Sequence, residues 1–266
     1  MRIAHLWRSA AAQLKAELAA QMQYRADMVA GFVASALGLA TSILGYYVIL
    51  HRGGGTIGGW TFPEIVALAG VVQMTSALMD FWLAPNLSAV SQYVQRGEFD
   101  LILIRPIDAL FAVTFRKVGA IADMLGFFLG LALVAVAMGI DRHAAPGNIL
   151  LFLAMYGAGV IIIYALWASL VTLAFYFTKI EEFAGIFYLL LSAGQFPVGA
   201  LPGRFLQFLF TFLLPVAFVT NVPAEAAMGR VSGAMVAAAL TMAALLLLVC
   251  RLAWRLALRR YASASS

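Results

Sequence analysis

Long uncharged runs constrain this chain more than any other feature. Residues 149–177 contain no Asp, Glu, Lys, Arg or His, and neither do residues 124–140 or 231–249. A bilayer core about 30 Å thick is crossed by about 20 apolar residues of helix. Several runs of that length recur between short polar breaks. Soluble domains are about 45–50% apolar and about 25% charged, whereas this chain is 64% hydrophobic and 11% charged. An all-α integral membrane protein follows, with little left over for a soluble domain.

In chain order the pattern predicts six transmembrane helices. Residues 1–24 carry Ile3, Leu6, Trp7, Leu14, Leu18 and Met22 on one side, with Arg2, Arg8, Lys15 and Glu17 mostly elsewhere. This predicts an amphipathic helix lying in the membrane interface. Span one covers about 27–50, followed by the Gly-rich loop 51–61. Span two covers about 62–84, with Pro63 in its first turn, where a missing N–H costs little. Span three covers about 109–140, its apolar part starting after Lys117. A tight turn with Pro146 and Gly147 leads to span four at about 149–177, and Lys179, Glu181 and Glu182 make the next polar turn. Span five starts near Phe183 and is interrupted. Pro197, Pro202, Pro215 and Pro223 each remove a backbone donor, and broken backbone at membrane depth has to be buried in protein or line a cavity. Residues 195–230 therefore read as a re-entrant helical hairpin, and span six covers about 231–258.

Basic residues set the orientation. Arg2, Arg8, Lys15 and Arg25 precede span one. Arg96, Arg105, Arg116 and Lys117 lie between spans two and three, Lys179 follows span four, and Arg251, Arg255, Arg259 and Arg260 close the chain. The opposite side holds only Arg52, Arg142, Arg204 and Arg230. The positive-inside rule places both termini and the stretch 92–117 in the cytoplasm. The net charge of +5 then fits anionic lipid rather than nucleic acid. The start of the sequence lacks the pattern of a cleaved signal peptide, so an uncleaved first span is expected to anchor the chain.

Several chemistries lack their residues. The lysines at 15, 117 and 179 are followed by Ala16, Val118 and Ile180, so no phosphate-binding P-loop is present. His5, His51 and His143 are scattered, with no ligand set at metal spacing. Cys250 is the single cysteine. No catalytic motif nominates an enzyme.

Ionisable groups within spans are costly and default to functional candidates. Asp80 falls near the inner end of span two and Asp123 about two turns into span three. Arg116, Lys117 or nearby backbone are their expected partners; proton coupling through the two carboxylates and the binding of a cationic substrate by the pair are the alternatives. Gly126 and Gly130 make a Gly-x-x-x-Gly step suited to close helix packing, within the chain or, as the second reading, at a dimer seam. Trp60, Trp82 and Trp254 fall near expected membrane boundaries. Trp167 falls mid-span near Tyr164, as a core residue or a stacking surface.

The stretch 92–117 is the longest polar interruption in the first half of the chain. Leu87, Val90, Ser91 and Val94 predict a short amphipathic helix leading into it. Gly97 is placed to end that helix in a left-handed conformation. Arg105-Pro106 breaks the chain again. Here the sequence resembles a known family. Gly97-Glu98-Phe99-Asp100, then Leu103, then Arg105-Pro106 are similar to the Gly-Glu-apolar-Asp-x-x-Leu-x-Arg/Lys-Pro signature of the six-span bacterial ABC exporter permeases of the type-2 superfamily. Tyr24-Arg25-Ala26-Asp27, Phe196-Pro197, the run Leu214-Pro215-Val216-Ala217-Phe218, Pro223-Ala224 and Tyr261-Ala262-Ser263-Ala264 resemble further family motifs in the same order. Thr220-Asn221 departs from the pattern, standing where the family often has a bulky residue such as tyrosine.

The resemblance implies a single permease domain over 1–266 in the bacterial cytoplasmic (inner) membrane. The permease would dimerise with an identical or sister permease, and two cytoplasmic ABC ATPase subunits would supply ATP and Mg chemistry. This chain itself would bind no cofactor. The loop 85–111 would couple to the ATPases through Arg96, Gly97, Glu98, Phe99, Asp100, Leu103, Arg105 and Pro106. A hydrophobic or amphipathic substrate would leave the cytoplasm along a dimer interface lined by spans one, two and five. Asp80, Asp123, Trp167 and Gln195 are candidates for that path. A membrane enzyme acting on a lipid through Asp80, Asp123 and Glu182 is the alternative from another class, and a membrane anchor without transport is the third.

Overall fold

The computed structural model describes residues 25–104, 106–140, 143–176 and 183–261. The expected interfacial helix over 1–24, Arg105, Arg142, Lys179, Glu181, Glu182 and the run Ala262-Ser263-Ala264 lie outside the described residues. The described chain is helical, and its one extended contact is an isolated bridge between Ile57 and Trp60.

Helix α1 is Arg25–Arg52. Helix α2 is Phe62–Gln95, with a π-helical turn at Met79–Leu83. Two short helices follow, α3 at Asp100–Leu103 and α4 at Ala109–Thr114. Helix α5 is Ile121–Ile140 and α6 is Pro146–Phe175, ending in a 3-10 turn. Helix α7 is Phe183–Ala193. Next come α8 at Arg204–Leu213 and α9 at Val216–Ala227, bent by 60° from each other. Helix α10, Gly233–Arg260, completes the series. Helices α1, α2, α5, α6 and α10 are long and apolar enough to cross a membrane, and the count reaches six if α8 and α9 together make one bent span.

Two boundaries differ from expectation. Helix α2 does not stop near Ala84. It runs on to Gln95, because Leu87, Val90 and Ser91 are buried and keep that face in the core. The short amphipathic helix expected beside the membrane is thus the last part of α2. Span three is split instead: α4 ends at Thr114 and α5 begins at Ile121. Where a fifth span was expected to start near Phe183, the described helix α7 has 11 residues and is not among those long enough to cross a membrane.

Local chemistry explains the starts and stops. Thr61 and Glu64 form a capping box at the start of α2, with Pro63 in the first turn, as that position tolerates. Gly97 ends α2 at a φ of 71°. Ser232 caps α10 by accepting a hydrogen bond from the Met235 amide. Pro223 sits in the first turn of the Asn221–Ala227 segment of α9, where a proline needs no backbone donor, so α9 passes through it. The bend between α8 and α9 falls at Leu214-Pro215. Pro197 precedes a 3-10 turn at Val198–Ala200, and Pro202 lies in the bend after it.

The core is built on close crossings. Helices α2 and α5 pack most extensively, followed by α6 with α10. A Cβ on Gly70 would meet the Gly130 carbonyl oxygen at 2.7 Å, and Gly126 lies against Gln73 and Ala77. The Gly126-x-x-x-Gly130 step therefore seats α5 on α2 within this chain. Trp167 is buried in the core, stacked on Phe187 of α7 with ring centroids 4.7 Å apart.

Candidate functional site

At one end of the bundle the polar stretch is pinned to α2. Asn86 is buried on α2. Its Oδ1 accepts from the amides of Arg116 and Lys117 at 2.9 and 2.8 Å. Its Nδ2 donates to the Lys117 and Trp82 carbonyls, both at 2.7 Å. Trp82 Nε1 donates to the Thr114 carbonyl at 2.9 Å, and the Thr114 and Tyr164 hydroxyls lie 3.0 Å apart. The break between α4 and α5 docks on the π-helical turn, where the Gly119 amide donates to the Phe81 carbonyl at 2.6 Å. A widened turn leaves carbonyls out of register with their usual partners, which suits an acceptor role of this kind. A Cβ at Gly119 would collide with the Asp80 carbonyl oxygen and the Phe81 Cα. The sequence showed Asn86 only as a polar residue near the end of an apolar run, and nothing marked Gly119.

The stretch around Phe99 sits on an aromatic base. Phe99 is fully buried. Its ring meets Phe175 at 5.0 Å, Tyr261 at 5.4 Å and Trp254 at 6.1 Å between centroids. Trp254, expected at a membrane boundary, is buried in this cluster. The Phe99 amide donates to the Tyr93 carbonyl at 3.1 Å just after the turn at Gly97. Leu101, Leu103 and Ile104 face outward, 62%, 41% and 78% exposed, and Arg96 and Pro106 are exposed beside them. Glu98 and Asp100 are half-buried. Asp108 caps α4 by accepting from the Phe111 amide at 2.9 Å, and its other oxygen pairs with Arg251 of α10 at 3.1 Å.

Deeper in the bundle a cavity of about 270 Å³ opens between α1, α2 and α5. Asp80, Asp123 and Gln195 all line it, with Ser35, Ser42, Tyr46 and Gln73. Trp167 does not. Asp80 accepts a short hydrogen bond from the Tyr188 hydroxyl, and Asp123 accepts from the Ala120 amide at 3.1 Å. Asp123 thus meets backbone, as expected, whereas Asp80 meets a tyrosine. Arg116 and Lys117 lie instead over the Tyr93 ring, at 4.5 and 5.7 Å from its centroid. Gln73 donates to Ser35 Oγ at 2.9 Å, and Tyr46 donates to the Gln195 carbonyl at 3.1 Å. Tyr188 carried no signal in the sequence, being one aromatic among many in an apolar run.

At the other end, Arg230 pairs with the buried Glu64 at 2.5 Å and lies 5.9 Å from the Trp60 ring centroid. Gly58 approaches Ala200. Asn221 is buried, and its Oδ1 accepts from the Val198 amide at 2.7 Å while its Nδ2 donates to Thr220 Oγ1 at 3.0 Å. The departure at Thr220-Asn221 therefore has a local role. The Asn221 side chain satisfies the Val198 backbone donor of the interrupted segment.

Five long apolar helices, each of span length, make this a multi-pass membrane protein. The chain belongs to the ABC-2 family transporter proteins, whose family model matches residues 36–265. Neither curated proteins nor solved structures give a match.

Proposed function

We propose that this chain is the permease subunit of an ATP-driven ABC exporter in the cytoplasmic membrane. The loop over 85–111 faces the cytoplasm with both termini and docks the ATPases. The carrying observation is the contrast within the signature stretch. Phe99 is fully buried while Leu101, Leu103 and Ile104 face outward. An apolar surface held on a buried anchor suits a protein partner better than solvent. These 266 residues hold no P-loop, and in this reading ATP and Mg belong to separate subunits. Two such ATPases and a second permease, identical or sister, complete the transporter. The lysine and arginine distribution supports the orientation.

The cavity between α1, α2 and α5 is the substrate path. Residues 195–230 form a re-entrant segment on the outer side. The contacts of Ala200 with Gly58 and of Arg230 with Gly59 and Glu64 support this, since they bring both ends of the segment to the loop between α1 and α2. In an export system of this kind, the permease co-purifies with an ATPase whose hydrolysis is vanadate-sensitive. Replacing Glu98 with Ala or Ile104 with Asp lowers that coupled hydrolysis. Failure of any ATPase to bind the intact permease overturns the reading.

A further inference from the structure

We propose that the cavity between α1, α2 and α5 takes the positively charged head of a cationic amphiphile. The proposal rests on the reading of this cavity as a substrate path and names the charge of what travels there. Two carboxylates, Asp80 and Asp123, line the cavity, and among the described residues no Lys, Arg or His does. Their hydrogen bonds come from neutral donors, the Tyr188 hydroxyl and the Ala120 amide. A carboxylate has about four lone-pair sites, so each keeps acceptor capacity for a ligand. Asp80 and Asp123 are half-buried, and a carboxylate partly withdrawn from water with no countercharge beside it is favoured by a bound cation. The volume of about 270 Å³ suits a headgroup, not a whole lipid. Ser35, Ser42 and Gln73 add neutral polar atoms to the wall, and Leu39, Ala69, Val72 and Ala77 line the same cavity with apolar surface for the start of a tail.

The test uses the full-length permease in zwitterionic nanodiscs without any ATPase. The probes are radiolabelled decyltrimethylammonium, decanol and decyl sulfate, with empty nanodiscs subtracted. Decyltrimethylammonium binds saturably, and the neutral and anionic probes do not. Asp80→Asn and Asp123→Asn each weaken binding by about thirtyfold or more, the low end for breaking a desolvated charge pair. Asp27→Asn, which removes an exposed carboxylate at the start of α1, leaves it unchanged. Should Asp80→Asn fail to fold, Asp123→Asn alone decides. Equal binding of the three probes overturns the proposal, as does cation binding that survives the folded substitutions, or no binding by folded wild-type protein. ATPase co-purification is read separately. Loss of the cation with the ATPase still bound refutes only the substrate charge, and loss of the ATPase with the cation still bound refutes only the export reading.

Discussion

Asn86 grips Lys117 on both sides, accepting its amide at 2.8 Å and donating to its carbonyl at 2.7 Å. One buried side chain thereby stands in for the helical hydrogen bonds missing where the chain breaks between α4 and α5. Polar groups buried without partners cost about 1–3 kcal/mol each. Asn86→Ala strips partners from the amides of Arg116 and Lys117 together. It lowers stability by about 2 kcal/mol or more. Cys250 is buried and is the only cysteine, so the rate of its labelling by a thiol-reactive dye during heating reports the loss.

Phe99 and Ile104 separate anchoring from docking. Phe99→Ala removes a fully buried ring and costs about 3–5 kcal/mol. Ile104→Asp changes an exposed residue and stays within about 0.5 kcal/mol. If the exposed face docks the ATPase, Ile104→Asp abolishes ATPase co-purification while leaving the melting transition in place. Equal effects of the two substitutions on melting would count against the buried anchor.

Gly119 tolerates no side chain. Gly119→Ala drives a methyl group into the backbone at Asp80 and Phe81, and overpacking of this kind costs about 1–3 kcal/mol. Gly185→Ala, where a Cβ meets nothing within 4 Å, is neutral or slightly stabilising because alanine favours the helix. Melting of the two purified variants side by side checks the contrast.

Glu64 and Asp108 each pair with an arginine, in different settings. The Arg251–Asp108 pair is exposed on both sides, with side chains 48% and 54% accessible. Arg251→Ala therefore costs at most about 1 kcal/mol, and less in high salt. Glu64 is buried, caps α2 through the Thr61 amide at 2.7 Å and meets Arg230. Glu64→Ala breaks the cap and the pair together and costs more than Arg251→Ala. Thermal melts at low and high ionic strength distinguish them, since salt screens the exposed pair on both sides while the Glu64 cap of the Thr61 amide persists.

The fold class was legible because apolar runs of span length leave a chain few alternatives. Gly97 was legible as the end of α2 because a left-handed turn suits glycine at little cost, and Pro63 because the first turn of a helix does not use its missing donor. Asp80 and Asp123 stood out as candidates because a charge in an apolar run is conspicuous without any structure. Their neighbours were not legible. Tyr188 is 108 positions from Asp80, and no local pattern pairs them. The end of α2 was misplaced because hydropathy falls after Ala84, while burial of Leu87, Val90 and Ser91 holds the helix to Gln95. Trp167 could be core or stacking surface by sequence, and only the Phe187 ring decided that it is core.

The sequence by itself determined that the chain is helical, membrane-spanning and free of a P-loop, since those properties depend on residue type along the chain. Only the tertiary structure decided that Asp80, Asp123 and Gln195 share a cavity. It likewise decided that Phe99 is the buried foot of its motif and that Asn86 closes the break before α5. Those relations join segments far apart in the chain, and they arise from how helices cross and which faces they bury.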